Sequence, residues 1–244
     1  MSNSIFPFVN LKSFPNGWKW HGKLKEFVKI KYYDKLKSID DNKIEEIAEF
    51  LNGTLLNFKI FDSFNWALYF NPVKHLEIYF LCERAQKKGD NFTILFGKKS
   101  SALPVQDIYG FALIYLIFLS FIGNDITYLN QSEISDKFYP IEKIVADKSI
   151  YKNLIYKKIL QPDLNFKKLI DDIENLPLLE NYSISKDKIE LIFEIFKNLK
   201  LKFLFSDEFN NIFISANSIN SIPKNMIISL VGLFSNALNR EYKK

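Results

Sequence analysis

The sequence predicts an α+β protein in which two pseudo-repeated helix, β-hairpin, helix units share one core, with antiparallel sheet and a central apolar helix. Residues 43–65 and 188–210 align without a gap at an offset of 145, sharing an opening Lys-Ile-Glu and a closing Asp-x-Phe-Asn. Both segments place a helix cap before an apolar stripe and two short apolar runs. Residues 108–122 form the most apolar run of the chain. Internal self-similarity of this kind indicates an architecture before single residues are interpreted.

The opening helix of each unit is predicted from cap spacing and apolar period. Asn42 with Glu45, and Asp187 with Glu190, have the spacing of a capping box. Apolar residues follow at helical intervals in both segments. They are Ile44, Ile47, Phe50 and Leu51 in the first, and Ile189, Ile192, Phe193 and Phe196 in the second.

A hairpin and a closing helix complete each predicted unit. The hairpin strands are residues 55–61 with 66–70, and residues 201–205 with 212–214. Each closing helix starts on a proline, whose missing N–H costs nothing in a first turn. One is expected from Asn71 and Pro72 to Gly89, and the other from Pro223 through Leu238.

The remaining elements follow from the same signals. A helix is expected at about residues 29–37, although lysines at odd positions and apolar residues at even ones also match a half-buried strand. Residues 92–96 are a predicted strand, and residues 132–138, 150–160 and 163–176 are predicted helices. Residues 108–122 are shorter than the roughly twenty that span a bilayer, so we expect a buried core helix and no membrane span. The expected organisation is a single compact domain, 1–244, with halves at about 29–123 and 150–240.

The positive charge of the chain is concentrated near its N-terminus. The formal net charge is +5, and residues 19–37 hold seven lysines against Glu26 and Asp34. Aromatic residues are interleaved with them, a mixture that suits stacking of bases and contact with phosphates. Nucleic-acid binding through this segment is therefore one hypothesis, and a solvated lysine face is the alternative, since arginine is almost absent. The candidate residues are Lys23, Lys25, Lys29, Lys31, Tyr32, Tyr33, Lys35 and Lys37.

Several classes of chemistry lack their signatures in this sequence. The single cysteine, Cys82, permits no internal disulfide and is expected to be buried. His21 and His75 have no metal-ligand spacing, and the eight glycines form no nucleotide-binding motif. We therefore expect no metal and no cofactor. Pro7 and Asn10 interrupt the N-terminal apolar residues, which favours a cytoplasmic protein without a signal peptide.

One pattern resembles an enzyme family. Glu49 and Asn52 have the Glu-x-x-Asn spacing with which chemotaxis response-regulator phosphatases orient a water molecule against an aspartyl phosphate. This resemblance implies phosphatase-like activity with those two residues in the site. Asn52 beside Gly53 is more typical of a helix end.

The C-terminal third carries a second resemblance. Residues 201–205, the acidic Asp207-Glu208-Phe209, residues 212–215, and Ser218 to Pro223 before a helix are similar to a prokaryotic family defined only as a domain of unknown function. Some members of that family carry an iron–sulfur module. This chain lacks the cysteines for a cluster, so the resemblance implies a fold and no activity.

The leading functional hypothesis from the sequence is a non-catalytic binding or adaptor protein. Duplicated folds bring two similar surfaces together, and a groove between the halves is a natural ligand site. Asp62, Trp66, Tyr69 and Asp207 are the candidates for that groove, with hairpin packing and turns as their alternative roles. The partner is expected to be a protein or a small molecule.

Overall fold

The computed structural model describes residues 8–57, 64–83, 91–123, 137–141, 165–197, 199–206, 210–215 and 222–243. The chain forms two compact units, residues 1–131 and 132–244. The described part contains helices and two antiparallel sheets, which confirms the predicted α+β class.

The first unit begins with helices and continues with an antiparallel sheet. Its helices are α1 (Gly17–Phe27), α2 (Tyr33–Lys37), α3 (Ile44–Phe50) and α4 (Val105–Ile122), and a π-helical turn, Val28–Tyr32, joins α1 to α2. Its strands are β1 (Phe8–Val9), β2 (Thr54–Leu55), β3 (Trp66–Phe70), β4 (Ile78–Glu83) and β5 (Asn91–Gly97). The strand order is β1-β5-β4-β3-β2, so β2 to β5 form a meander and β1 closes one edge.

Helix α4 packs against one face of this sheet. Phe70 of β3 contacts Tyr115 of α4 with ring centroids 4.8 Å apart, and it also contacts Phe80 of β4. Among the described residues, α4 is the one helix long and apolar enough to cross a membrane, and 67% of it is buried inside the protein. Such burial is what we expect of a core helix.

The second unit repeats the arrangement of strands. Its strands are β6 (Phe138–Pro140), β7 (Leu179–Ser185), β8 (Lys188–Phe196), β9 (Leu199–Ser206) and β10 (Asn210–Ser215), in the order β6-β10-β9-β8-β7. Its helices are α5 (Phe166–Asp172) and α6 (Lys224–Tyr242). Phe193 of β8 lies against Phe234 of α6, with ring centroids 6.3 Å apart. The opposite face of the sheet carries ion pairs such as Lys200 with Glu180.

The predicted repeat at offset 145 is not confirmed, because it aligns a helix with a strand. Residues 44–50 form α3, whereas the matching residues 189–195 lie within β8. The predicted helix from Asp187 is therefore wrong. In this segment Ile189, Leu191, Phe193 and Ile195 are buried alternately, and the first three pair with both neighbouring strands. Asp187 belongs to the turn between β7 and β8 and does not cap a helix.

Three other predictions need correction. Residues 71–89 do not form a helix: residues 71–77 are irregular and residues 78–83 form β4, where Ile78, Phe80 and Cys82 alternate into the core. The helix expected at 29–37 begins much earlier, at Gly17. Helices are also expected at 132–138 and 150–160. Residue 138 begins β6 instead, and apart from residue 137 the other residues of these two ranges lie outside the described part of the chain.

The strands 66–70, 92–96, 201–205 and 212–214 and the helices 108–122 and 223–238 are confirmed within a few residues. The predicted helix at 163–176 is confirmed for α5 and the following 3₁₀ turn, Ile173–Asn175.

The two units share a proline-started helix after the last strand of the meander. Pro104 caps α4, and its carbonyl accepts from the N–H groups of Asp107 and Ile108. Pro223 caps α6, and its carbonyl accepts from Met226 and Ile227 in the same pattern. Both prolines have extended ψ angles, 136° and 130°, which direct the chain from the sheet into the helix.

Candidate functional site

The strongest candidate for a functional surface is the helical segment of residues 17–37, which we call the lysine helix. It begins where Asn16 adopts a left-handed conformation, φ 58°, and the Gly17 N–H bonds to the Phe14 carbonyl at 2.9 Å. A Cβ on residue 17 would lie 1.8 Å from the Leu11 carbonyl oxygen, so glycine is required at this turn. The segment runs through the π-helical turn to Lys37.

The inward side of the lysine helix fixes its position in the first unit. Leu24, Val28 and Leu36 are buried. Trp20 packs on Tyr109 of α4 with ring centroids 5.0 Å apart. The segment is therefore anchored on the most buried helix of this unit, and its outward side is held in a fixed orientation.

The outward side presents the lysines to solvent. All seven lysines of the segment are exposed. Within the described ranges, no carboxylate forms an ion pair with five of them, whereas Lys35 and Lys37 make contacts within the chain. The five are Lys19, Lys23, Lys25, Lys29 and Lys31.

Two of these lysines lie over aromatic rings of the same segment. The Lys23 Nζ is 4.9 Å from the centroid of the Trp20 ring, and the Lys31 Nζ is 4.5 Å from that of Phe27. Phe27 in turn stacks on Tyr32 at 6.1 Å. Cation–π contacts at exposed sites are weak, about 0.5–1 kcal/mol, so they orient the lysines without neutralising them.

The electrostatic effect of the lysines is visible at His21. Burial is the main cause that lowers the pKa of His21, and the positive charges of Lys12 and Lys25 lower it further. Lys12 lies outside the lysine helix, in the 3₁₀ turn Leu11–Ser13, and extends the positive region. Lys12 lies seven positions before Lys19, so its place in this region is not evident from the sequence.

Two large apolar side chains project into solvent from this basic face. Trp18 is 75% exposed and Ile30 is 69% exposed. Strand alternation would place Ile30 inward with the other even positions. On a helix, however, Ile30 is about 200° from the buried Val28, so helical period leaves it outside the buried stripe. Tyr32 and Tyr33, two candidates for stacking, are half-buried.

The four residues proposed for a groove do not form one described surface. Trp66 is 2% exposed and packs edge-on against Phe92. Tyr69 lies three residues along the same strand, so its side chain is on the opposite face of the sheet. There it contacts Tyr79, and burial and then Glu77 raise its pKa. Asp62 and Asp207 lie outside the described residues.

Glu49 and Asn52 do not share a helix face. Helix α3 ends at Phe50, and Asn52 has φ 51° in the left-handed region typical of a helix end. The Glu49 carbonyl accepts from the Asn52 N–H at 3.0 Å. The Glu-x-x-Asn pattern therefore spans the C-terminal end of α3, and Gly53 follows it.

Cysteine and metal ligands give no further site in the described part of the chain. Cys82 is buried in β4, as predicted. Within the ranges given above, no group of three or more His, Cys, Asp or Glu side chains could hold a metal ion.

Comparison of the chain with protein-family models, with curated proteins and with solved structures found no match.

Proposed function

We propose that this chain is a non-catalytic binding or adaptor protein that binds a polyanionic partner through the lysine helix. The observation that supports this proposal is a fixed helical face with five exposed lysines that no described carboxylate pairs with. Two carboxylates, Glu26 and Asp34, are exposed on the same segment, which leaves a clear positive excess.

The chemistry of this face favours an extended anionic surface over a small ligand. Lysine ammonium groups are hydrated point charges, and they lack the planar fork with which arginine recognises one phosphate or base. The attraction of such a face for an anion is the sum of the contributions of several lysines. Salt screens each charge beyond a distance of about 8–10 Å. Such a surface gives rapid, salt-sensitive and weakly selective association.

The other functional hypotheses receive less support from the described residues. Trp66 and Tyr69 face opposite sides of one sheet, so they do not line a common site. A groove between the halves stays a prediction. The phosphatase hypothesis needs two side chains on one helix face, and Asn52 lies beyond the end of α3.

A phosphate polymer tests the proposed surface directly. We would titrate labelled oligothymidine with the wild-type chain and with a variant carrying Gln at Lys19, Lys23, Lys25 and Lys29, over a range of salt concentrations. For single strands the slope of log K against log salt is about 0.7 per phosphate contact, so four lost contacts should reduce it by nearly 3.

A second variant provides the matched control. Lys167, Lys186, Lys197 and Lys224 are exposed and belong to the second unit, and their change to Gln removes the same total charge. The proposal expects this control to bind as the wild type does. Equal weakening of both variants would show a response to net charge alone, and an unchanged lysine-helix variant would refute the proposal.

A further inference from the structure

We propose that the polyanion bound by the lysine helix is an anionic membrane surface, with Trp18 and Ile30 inserting into the interface between lipid headgroups and acyl chains. This inference rests on the proposed function and names the partner of the same face. It concerns association with one side of a bilayer, and it requires no membrane span.

The first argument is the exposure of two large apolar side chains on a charged face. Trp18 and Ile30 are the most exposed of the large apolar side chains in the described part of the protein, at 75% and 69%. They lie twelve positions apart in one helical segment, or about 18 Å along the axis at 1.5 Å per residue. At 100° per residue the two side chains also lie about 120° apart around the axis, so they flank the solvent-facing side of the helix.

The second argument is the arrangement of charge around these anchors. Lys19 directly follows Trp18, and Lys29 and Lys31 stand on either side of Ile30. All three lysines are exposed. Anionic lipids attract lysines near the surface, and an apolar side chain between them gains by leaving water. The chain thus combines the two contributions that give stable peripheral attachment.

The third argument separates a membrane from a nucleic acid. Single-stranded nucleic acid is held by rings on which bases stack. Trp20 is already packed on Tyr109, and Phe27 on Tyr32, which leaves Trp18 as the strongly exposed ring of this helix. Ile30 has no ring and no hydrogen-bonding group, so it adds nothing to base stacking. The same side chain is well suited to the apolar boundary of a bilayer.

The orientation of the lysine helix agrees with this use. Its apolar inward side is packed on α4, so membrane contact does not require the helix to leave the protein. Gly22 lies four residues after Trp18, and no atom beyond its own helix comes within 4 Å of where its Cβ would be. The outward face is therefore open at Gly22, and a flat surface can approach the helix at this position.

The experiment compares vesicles of phosphatidylcholine with vesicles that also contain phosphatidylserine, using sedimentation to measure bound protein. The decisive variant is Trp18→Ser with Ile30→Ser, which keeps every lysine. The proposal expects the wild type to bind the anionic vesicles, and the double variant to bind them about tenfold more weakly. Oligothymidine binding of the same double variant should stay within about twofold of wild type.

A fluorescence measurement gives an independent readout. Trp18 insertion should shift the tryptophan emission to shorter wavelength when anionic vesicles are added, and the Trp18→Ser, Ile30→Ser variant should lack that shift. Both side chains are largely exposed, so the substitutions should leave the thermal unfolding midpoint nearly unchanged, and this is measured for each variant.

The outcomes separate this inference from the proposed function. The variant with Gln at Lys19, Lys23, Lys25 and Lys29 should lose nearly three orders of magnitude on anionic vesicles, since each lysine contributes roughly fivefold. If that variant loses affinity but Trp18→Ser, Ile30→Ser does not, the lysine face binds polyanions and the insertion is refuted. A double variant that loses oligothymidine binding while retaining vesicle binding would identify a nucleic-acid site. If neither variant changes vesicle or oligothymidine binding, both proposals fail.

Discussion

The Ser100 hydroxyl connects two segments next to strands of the first unit, and its removal should be costly. Ser100 is fully buried in the 3₁₀ turn Lys98–Ala102 that follows β5, where its Oγ accepts from the Glu77 N–H at 3.1 Å and donates to the Glu77 carbonyl at 3.4 Å. Glu77 immediately precedes β4. The substitution Ser100→Ala therefore leaves the part-buried Glu77 N–H without its described partner.

The expected loss follows from the cost of such an orphaned group. A buried donor left without an acceptor costs about 1–3 kcal/mol, and we expect Ser100→Ala to lower the free energy of unfolding by that amount. Ser101 provides the control, because its hydroxyl donates to the Lys98 carbonyl at an exposed position. Ser101→Ala should change the free energy of unfolding by less than about 0.5 kcal/mol.

The positions of the tryptophans make this measurement specific. Trp18, Trp20 and Trp66, which are all three tryptophans of the chain, belong to the first unit. Tryptophan fluorescence during urea unfolding therefore reports the unit that contains Ser100. A lower midpoint with an unchanged m-value is the expected result. A Ser100→Ala variant indistinguishable from Ser101→Ala would refute the reasoning, because it would mean that the Glu77 N–H is satisfied without the hydroxyl.

Three further predictions concern single residues of the same unit. Gly53→Ala should destabilise by about 1–3 kcal/mol, because the new Cβ would lie 2.3 Å from the buried Phe70 ring; urea unfolding measures it, and a neutral effect would contradict the packing described. Gly22→Ala, on an exposed helix with open space around the Cβ, should stabilise by up to about 1 kcal/mol in the same assay. The pKa of His21, followed by NMR, should lie below 6.5. Lys25→Gln should raise this pKa only part of the way back, because burial is the larger cause of its lowering, and an unchanged pKa would exclude the contribution of Lys25. Because folding lowers this pKa, stability should fall as pH drops below about 6.5, and His21→Gln should reduce that fall.

Apolar runs, prolines and polar boundaries are local signals in the sequence, and they predict several helices and strands correctly. Residues 108–122 are apolar over many turns with a proline before them, and α4 follows this pattern closely. The strand at residues 66–70 is bounded by polar residues and was predicted at its observed limits. In these segments the short-range preferences and the tertiary environment agree.

Residues 188–196 show where local signals fail. The same letters contain a helical stripe through Ile189, Ile192, Phe193 and Phe196 and an alternation through Ile189, Leu191, Phe193 and Ile195. Pairing with β7 and β9 selects the alternation, and both partners are separate strands whose registers no local pattern specifies. The alignment at offset 145 thus matched shared letters in different structures.

An offset of 119 residues, unlike the offset of 145, aligns a helix of one unit with a helix of the other. Pro104 and Pro223, which cap α4 and α6, are 119 residues apart, and at this spacing buried Ile108 matches Ile227 and buried Leu119 matches Leu238. Few residues are identical at this spacing, because a core helix needs an apolar side and not a particular residue type at each position. Strand order, which sequence comparison does not measure, carries the likeness of the two units.

The candidate surface could be predicted only in part. The lysines and their aromatic neighbours are evident in the sequence, as is their excess over Glu26 and Asp34. Helical period already leaves Ile30 outside the buried stripe, whereas the packing of Trp20 depends on Tyr109, about ninety positions away. That contact is a property of tertiary structure, so the charged segment alone does not reveal an anchored surface.

The strand order has a consequence for the order of events during synthesis. Every described strand of the first sheet lies within residues 8–97, and the short edge strand β1 is made before its partner β5. The nascent chain therefore contains all described strands of that sheet before any described strand of the second sheet has left the ribosome. Units that assemble as they emerge avoid pairing with strands made later. Residues 8–97 with the following α4 should consequently reach their native hydrogen bonds while the C-terminal half is still being translated.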